Sequence, residues 1–121
     1  MKILPIVDTK YWYEAVVASV YDGDSVRLDV DQGFNQWRLN KRFRLARINA
    51  WEIRGAERRQ GLAAKSFLEI FLPLGKEVII NTVKDTRGKY GRILVDIYDI
   101  DSGDCLNDVL VEAGHAWYQE Y

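Results

Sequence analysis

Three short segments of this chain contain residue types that could together act on a phosphodiester. Residues 22–25, Asp-Gly-Asp-Ser, place two carboxylates around a glycine turn. Residues 43–52 contain Arg44 and end at Glu52, and residues 89–92 read Lys-Tyr-Gly-Arg. Hard cations bind carboxylate and carbonyl oxygens, whereas the planar fork of arginine matches phosphate oxygens. The segments could therefore hold a divalent cation and a phosphate beside a carboxylate that activates water.

Each of these segments also has an ordinary structural explanation. Asp-Gly-Asp is a common turn sequence, because glycine permits unusual backbone angles and aspartate bonds its own main chain. An arginine on a strand is usually solvated, and Arg92 follows a glycine as a strand start often does. From the residues alone, a metal-and-phosphate site and a set of plain turns both remain open.

The distribution of charge along the chain favours a polyanionic partner more than the net charge does. The formal net charge of the chain is −1. Residues 1–37 carry −3, residues 38–92 carry +9, and residues 93–121 carry −7. A basic middle between acidic ends suggests a patch that could meet a phosphate backbone. A solvated strand and helix surface is the alternative.

The composition is that of a single folded domain, residues 1–121. The chain has 121 residues, 48% of them hydrophobic, and only two prolines, which excludes disorder and low-complexity repeats. No apolar run is long enough to span a membrane, and the N-terminal segment is too interrupted for a signal peptide. Cys105 is the single cysteine and cannot form an internal disulfide. We expect a monomer in a cytoplasmic or phage-encoded intracellular setting.

The hydrophobic pattern predicts the element order β-β-β-α-β-β-α. Strands are expected at residues 11–20, 25–31, 36–48, 76–84 and 92–100, with a bend or bulge after Leu45 where the apolar parity shifts. A helix is expected at 58–72, and a second short one ends at Gly114. The first helix should bury the face that carries Ala63, Phe67, Ile70, Phe71 and Leu74.

This order predicts a mainly β, α+β fold. Five short strands with a helix between the third and fourth suit a closed barrel of the oligonucleotide/oligosaccharide-binding type, with a second short helix near the C-terminus. An α+β sandwich has the same list of elements and remains open at this point.

The motifs resemble those of the staphylococcal nuclease family. Asp-Gly-Asp-Ser precedes an alternating strand, Phe-Arg-Leu leads to a glutamate eight residues after the arginine, and Lys-Tyr-Gly-Arg follows. Asn107 and the segment Leu-Val-Glu-Ala-Gly at 110–114 complete the series, so the likeness covers Val16 to Gly114. The resemblance implies an oligonucleotide-binding barrel and calcium-dependent hydrolysis of DNA or RNA with little sequence specificity.

The resemblance also assigns a role to individual residues. Glu52 matches the general base, and Arg44 and Arg92 match two arginines that grip the phosphate. Asp24 matches a calcium-ligating aspartate, while Asn49 and Ala50 fall where the family has a second ligating aspartate and a ligating backbone carbonyl. The remaining residues are assigned to substrate contacts: Lys89 and Tyr90 beside a neighbouring phosphate, and Tyr118 in the region of base-stacking tyrosines.

Two departures from the family pattern bear on activity. Asn49 removes one negative charge from the expected metal ligands, so we expect calcium to bind more weakly or another divalent cation to be accepted in its place. The alternative function is therefore a weak or inactive nucleic-acid-binding module. Trp51 replaces a proline usual in this loop, and its ring either covers the barrel end or stacks on a base.

Overall fold

A computed structural model describes residues 11–83 and 93–119 of the chain. Its seven strands are β1 (Trp12–Asp22), β2 (Ser25–Asp31), β3 (Trp37–Leu45), β4 (Ile48–Ala50), β5 (Glu77–Val83), β6 (Ile93–Asp99) and β7 (Ala116–Tyr118). A 3₁₀ turn at Gly55–Glu57 leads into helix α1 (Arg58–Phe71), and helix α2 spans Leu106–Glu112. None of the helices in these ranges is long and apolar enough to cross a membrane.

Five strands close into a barrel in the order β1-β2-β3-β6-β5, with β1 also paired to β5. The pairing is antiparallel except between β3 and β6, which run parallel over three residue pairs. Side chains from all five barrel strands and from both helices fill a single core. The predicted barrel is thus confirmed, and the sandwich alternative is wrong.

The bend predicted after Leu45 is confirmed, and it divides the expected third strand in two. Arg47 has a φ of 67°, a left-handed conformation outside the extended region of regular β-strands. The chain leaves the barrel there and forms β4, which pairs with β7 in a separate two-stranded sheet. Strand β7 has only three residues and was not expected from the sequence.

A bulge in β3 explains why its apolar pattern misleads. Asn40 has a φ of 55°, and the register with β2 shifts beside it. The bulge changes which parity of residues faces the core. As a result Phe43 and Leu45 are buried, whereas Trp37 and Leu39 on the same apparent face are exposed.

Helix α1 buries a different face from the one predicted. Its buried residues are Gly61, Ala64 and Leu68, whereas Ile70 is 75% exposed. Phe67 and Phe71 flank the core as expected, but Ala63 and Leu74 are exposed. Small residues let the helix approach the barrel closely, so the contact face follows Gly61 and Ala64 rather than the largest apolar side chains.

Asn107 fastens α2 to the barrel from a fully buried position. Its side-chain oxygen accepts a hydrogen bond from the Ile97 backbone N–H at 3.1 Å. Its amide nitrogen donates to the backbone oxygens of Ala46 and Val95, each at 3.0 Å. The helix ends at Glu112 and is closed by Gly114, which has a φ of 83° and donates a backbone hydrogen bond to Val111.

Arg47 also joins the bend to α2 through charged groups. Its guanidinium donates to Asp96 at 2.9 Å and to Asp108 at 3.0 Å. The hydrogen bond from Arg47 holds the pKa of Asp108 below its usual 3.8, and a bond from the Tyr118 hydroxyl acts in the same direction. Because that pKa is depressed in the folded state, the pair stabilises the fold above about pH 4 and the contribution is lost as the pH falls through the folded pKa.

Asp108→Asn should therefore lower the free energy of unfolding at pH 7 by up to about 1 kcal/mol, because both partners are more than one-third exposed. The difference from the wild type should shrink towards zero below pH 3. Urea unfolding at both pH values measures it, with Asp104→Asn as the control for loss of an exposed charge. An equal deficit at both pH values would show that charge is not the source.

Candidate active site

Two glycines allow three parts of the chain to meet at one end of the barrel. A Cβ atom on Gly23, in the β1–β2 turn, would lie 2.8 Å from the Cβ atoms of Ala50 and Ala64. A Cβ atom on Gly61 would overlap the Glu52 carbonyl group and lie 2.7 Å from the Ile53 nitrogen. Atoms do not approach this closely, so only glycine fits at either position. The turn, β4 and α1 can therefore pack backbone against backbone.

Asp24 lies at the centre of this junction and is buried. Its Oδ2 accepts a hydrogen bond from the Ala50 backbone N–H at 3.0 Å, which ties the turn to β4. The Asp24 backbone N–H donates to Asp22 Oδ1 at 3.0 Å, and its carbonyl accepts from the Leu45 N–H at 2.8 Å. These bonds fix the carboxylate against both β3 and β4.

Burial raises the pKa of the Asp24 carboxyl to about 7. A hydrogen bond with Asp22 acts in the same direction, while the positive charge of Arg44 opposes it. The positive charge of Arg44 therefore does not offset the combined effect of burial and the neighbouring Asp22 on this pKa. A further cation at this position would favour the ionised form of Asp24.

Arg44 connects two of the three predicted metal ligands. Its Nη2 lies 3.3 Å from Asp24 Oδ2 and also donates a hydrogen bond to Asn49 Oδ1. Both Asp24 and Asn49 thus direct an oxygen atom towards Arg44 Nη2. The guanidinium side chain is only 16% exposed, so its charge acts in a partly desolvated environment where electrostatic interactions are stronger.

Asp24 and Arg44 line a pocket of about 270 Å³, whereas Asn49 is not among its lining residues. Glu52 lies on its rim and is exposed, and its backbone N–H donates to the Glu57 side chain at 3.2 Å. The full lining is Tyr21, Asp22, Asp24, Ser25, Arg42, Arg44, Ala50, Trp51 and Glu52. The structure thus brings the predicted base, one predicted phosphate-binding arginine and a predicted metal ligand to one opening.

The remaining predicted site residues are not all in the pocket. Lys89, Tyr90 and Arg92 lie outside the described residues, so their roles stay predictions. Tyr118 does not line the pocket, because it is in β7 and its hydroxyl donates to Asp108 at 2.9 Å. Trp51 does line it, and its ring packs edge-on against Trp117 at 5.0 Å. Trp51 therefore packs at the barrel end and also forms part of the pocket wall.

Two pocket residues were missed in the sequence analysis. Arg42 reaches the pocket because it lies two residues before Arg44 on β3 and projects from the same outer face, a relation that the two-residue period of a strand could have indicated. Tyr21 extends β1 beyond its predicted end, and its hydroxyl accepts a hydrogen bond from Arg54 at 3.3 Å. The Asp22–Gly23 turn could have indicated that the preceding residue lies beside the site.

The donor atoms in the pocket suit a hard divalent cation. Asp22, Asp24 and Glu52 in the pocket wall, and Asn49 beside Arg44, offer oxygen ligands. Within residues 11–83 and 93–119, however, no three His, Cys, Asp or Glu side chains are grouped to hold a metal ion. The residues fit such an ion only if water or substrate oxygens complete its coordination.

Comparison with known proteins gives one positive result. A family model described as staphylococcal nuclease homologue matches residues 42–121, more than half of the chain. The match includes Arg44, Asn49 and Glu52, whereas the turn that contains Asp24 precedes it. Among curated proteins, none matches this chain.

Proposed function

The chain belongs to the staphylococcal nuclease homologue family, and from this membership we propose that it is a metal-dependent nuclease. It would hydrolyse phosphodiester bonds in DNA or RNA. The observation that supports this most is that Arg44, Asp24 and Glu52 line one pocket. The charged groups there suit phosphate rather than base edges, and phosphate contacts carry no sequence information. Little sequence specificity is therefore expected.

In this proposal Arg44 binds the phosphate that is cleaved. A guanidinium donates two parallel hydrogen bonds to phosphate oxygens and neutralises the charge that grows on them in the transition state. Arg44 is held in place by Asp24 and Asn49, so little reorganisation is needed when substrate binds. Arg92 would be the second such arginine, as the family resemblance implies.

Glu52 would accept the proton of the attacking water. Its position on the pocket rim leaves the carboxylate accessible to solvent, and its backbone is fixed by Glu57 and by contact with α1. A carboxylate held beside a bound phosphate can orient water for attack on phosphorus and take its proton. Glu52 would therefore act on the attacking water, and Arg44 on the phosphate that the water attacks.

Asp24 and Asn49 would hold a divalent cation, with calcium as the first candidate. The backbone carbonyl of Ala50 would be a further ligand, as the family resemblance implies. When bound, such an ion supplies positive charge that polarises a phosphate oxygen. Asp24 contributes a charged oxygen and Asn49 a neutral one, so these two residues set how tightly the ion is held.

The proposal is tested by cleavage of single-stranded and plasmid DNA and of RNA in calcium, magnesium or chelator. We expect degradation that requires a divalent cation and stops with chelator. If no metal supports cleavage and the protein only retards DNA in a salt-sensitive way, the nuclease proposal is wrong. The neutral Asn49 would then favour the binding-module alternative.

Asn49→Asp should lower the calcium concentration that gives half-maximal activity by about tenfold, because it adds a charged oxygen next to Asp24. Calcium titrations of activity, and calorimetry of calcium binding without substrate, measure the change. Asn35→Asp adds the same charge on the exposed β2–β3 turn and serves as the control. An unchanged midpoint in both titrations would remove Asn49 from the metal site.

A further inference from the structure

The outer face of β2 and β3 carries a row of arginines that begins in the pocket. In β2 the buried residues Val26, Leu28 and Val30 alternate with polar residues, so Arg27 points away from the core. Arg42 is directly opposite Arg27, and Arg44 is directly opposite Ser25. Residues directly opposite each other in an antiparallel pair project from the same face of the sheet. Arg44, Arg42 and Arg27 therefore share one face.

Arg27 and Arg42 form a pair of like charges that the fold itself does not neutralise. Like charges directly opposite each other destabilise a sheet. Among the described residues, no acidic side chain forms an ion pair with Arg42, and Arg27 donates only to the Asn40 backbone oxygen, at 3.3 Å. An anion bound between the two guanidinium groups would relieve this repulsion.

The position of the pair relative to Arg44 suggests which anion. Arg42 and Arg44 are two residues apart on one strand, which separates their Cα atoms by about 7 Å. Neighbouring phosphates of an extended nucleic acid strand have a comparable separation. Arg42 also lines the pocket, so the row is continuous with the site where Arg44 would bind the cleaved phosphate.

The same face becomes acidic beyond Arg27, which limits the length of the basic row. Asp29 and Asp31 follow on the outer face of β2. Their carboxylates accept hydrogen bonds from the backbone N–H groups of Asn40, at 2.7 Å, and Gly33, at 2.8 Å. The negative charge would repel a further phosphate, so the row accommodates one phosphate in addition to the one at Arg44.

We propose that Arg42 and Arg27 form a second phosphate subsite, which binds the phosphate next to the cleaved one in single-stranded nucleic acid. This rests on the proposed function, because Arg44 marks the position of the cleaved phosphate. The family resemblance assigns another neighbouring phosphate to Lys89 and Tyr90, and the arginine pair would bind the one on the other side. The enzyme would then prefer substrates that carry this extra phosphate.

The test uses dithymidine, which has one internal phosphodiester, with no terminal phosphate, a 5′-phosphate, a 3′-phosphate or both. In the wild type, each terminal phosphate should raise kcat/KM, and the one that reaches the arginine pair should raise it about tenfold. Arg42→Ala and Arg27→Ala should each remove most of that gain and leave the gain from the other terminal phosphate. Lys65→Ala, which removes a cation from α1, should retain both gains.

Two results would overturn the subsite. One is a gain from both terminal phosphates that persists in Arg42→Ala and in Arg27→Ala. The other is an Arg42→Ala defect of equal size with all four compounds, which would place Arg42 on the cleaved phosphate instead. Melting temperatures should not fall in either variant, because each removes one member of a repulsive pair.

If the chain is not a nuclease, the result differs from both of these outcomes. In that case the wild type cleaves none of the four compounds in any metal. The same compounds then compete with a fluorescent single-stranded oligonucleotide for the protein, measured by anisotropy. A terminal phosphate that improves competition about tenfold in the wild type and not in Arg42→Ala would support the subsite without catalysis. Equal competition by all four would exclude it.

Discussion

Replacing Glu52 by glutamine should lower kcat for single-stranded DNA by about 10²- to 10⁴-fold, the usual contribution of a positioned general base. Glutamine has nearly the same size, but its amide oxygen is a very weak base. The Glu52 side chain is exposed on the pocket rim, so its loss removes no core packing. We therefore expect unchanged thermal stability and a KM that does not rise.

The control for this experiment is Glu69→Gln, which makes the same chemical change on the exposed face of α1. It should leave kcat within about twofold of the wild type. Single-turnover cleavage in saturating metal measures the chemical step directly. A loss of less than threefold in Glu52→Gln would mean that water is activated by another group.

The second large effect is expected at Gly61, which contacts no substrate in the proposal. A methyl group at this position would overlap the Glu52 carbonyl, so Gly61→Ala must push the 52–53 backbone away from α1. Overpacking of this kind costs about 1–3 kcal/mol of folding free energy. It also moves the base, and a misplacement of about 1 Å can reduce turnover by about 10²-fold.

Urea unfolding and kcat measured on the same sample separate these two effects of Gly61→Ala. Ser66→Ala is the matched control, since it lies on the exposed face of the same helix. The control should retain both stability and turnover, because alanine favours helix. If Gly61→Ala keeps wild-type kcat, the approach of α1 to the loop does not position Glu52.

Most of the fold can be predicted from the sequence because the strands alternate and the helices have clear ends. Residues 25–31 are predicted with their observed bounds, and the predicted bend after Leu45 occurs at Arg47. The core face of α1 cannot be predicted in this way, since it depends on close packing at Gly61 and Ala64 rather than on the largest apolar residues. Strand β7 is too short for periodicity to indicate, and it exists because β4 offers it a partner.

The candidate site is predictable to a similar extent. Ordered motifs indicate Asp24, Arg44 and Glu52 from the sequence, and the structure places all three around one pocket. Arg42 was within reach of prediction, because it shares the outer face of β3 with Arg44 while Phe43 and Leu45 point inwards. The exposure of Trp37 and Leu39 could not be predicted, because they lie before the backbone shift at Asn40. Local sequence patterns describe which residues share a face until a bulge intervenes, and a bulge is decided by the pairing of two strands.

The short parallel contact between β3 and β6 has a consequence for folding. The antiparallel pairs β1–β2, β2–β3 and β5–β6 are close in sequence and can form early. Closing the barrel also requires the β1–β5 and β3–β6 pairs, each of which joins strands across a long intervening chain. Contacts of such high sequence separation form late, because the entropy of loop closure must be overcome first. Arg44 is the middle residue of the β3–β6 contact. The arginine proposed to bind the cleaved phosphate would therefore be fixed in place only when the barrel closes, and a partly folded chain would be inactive.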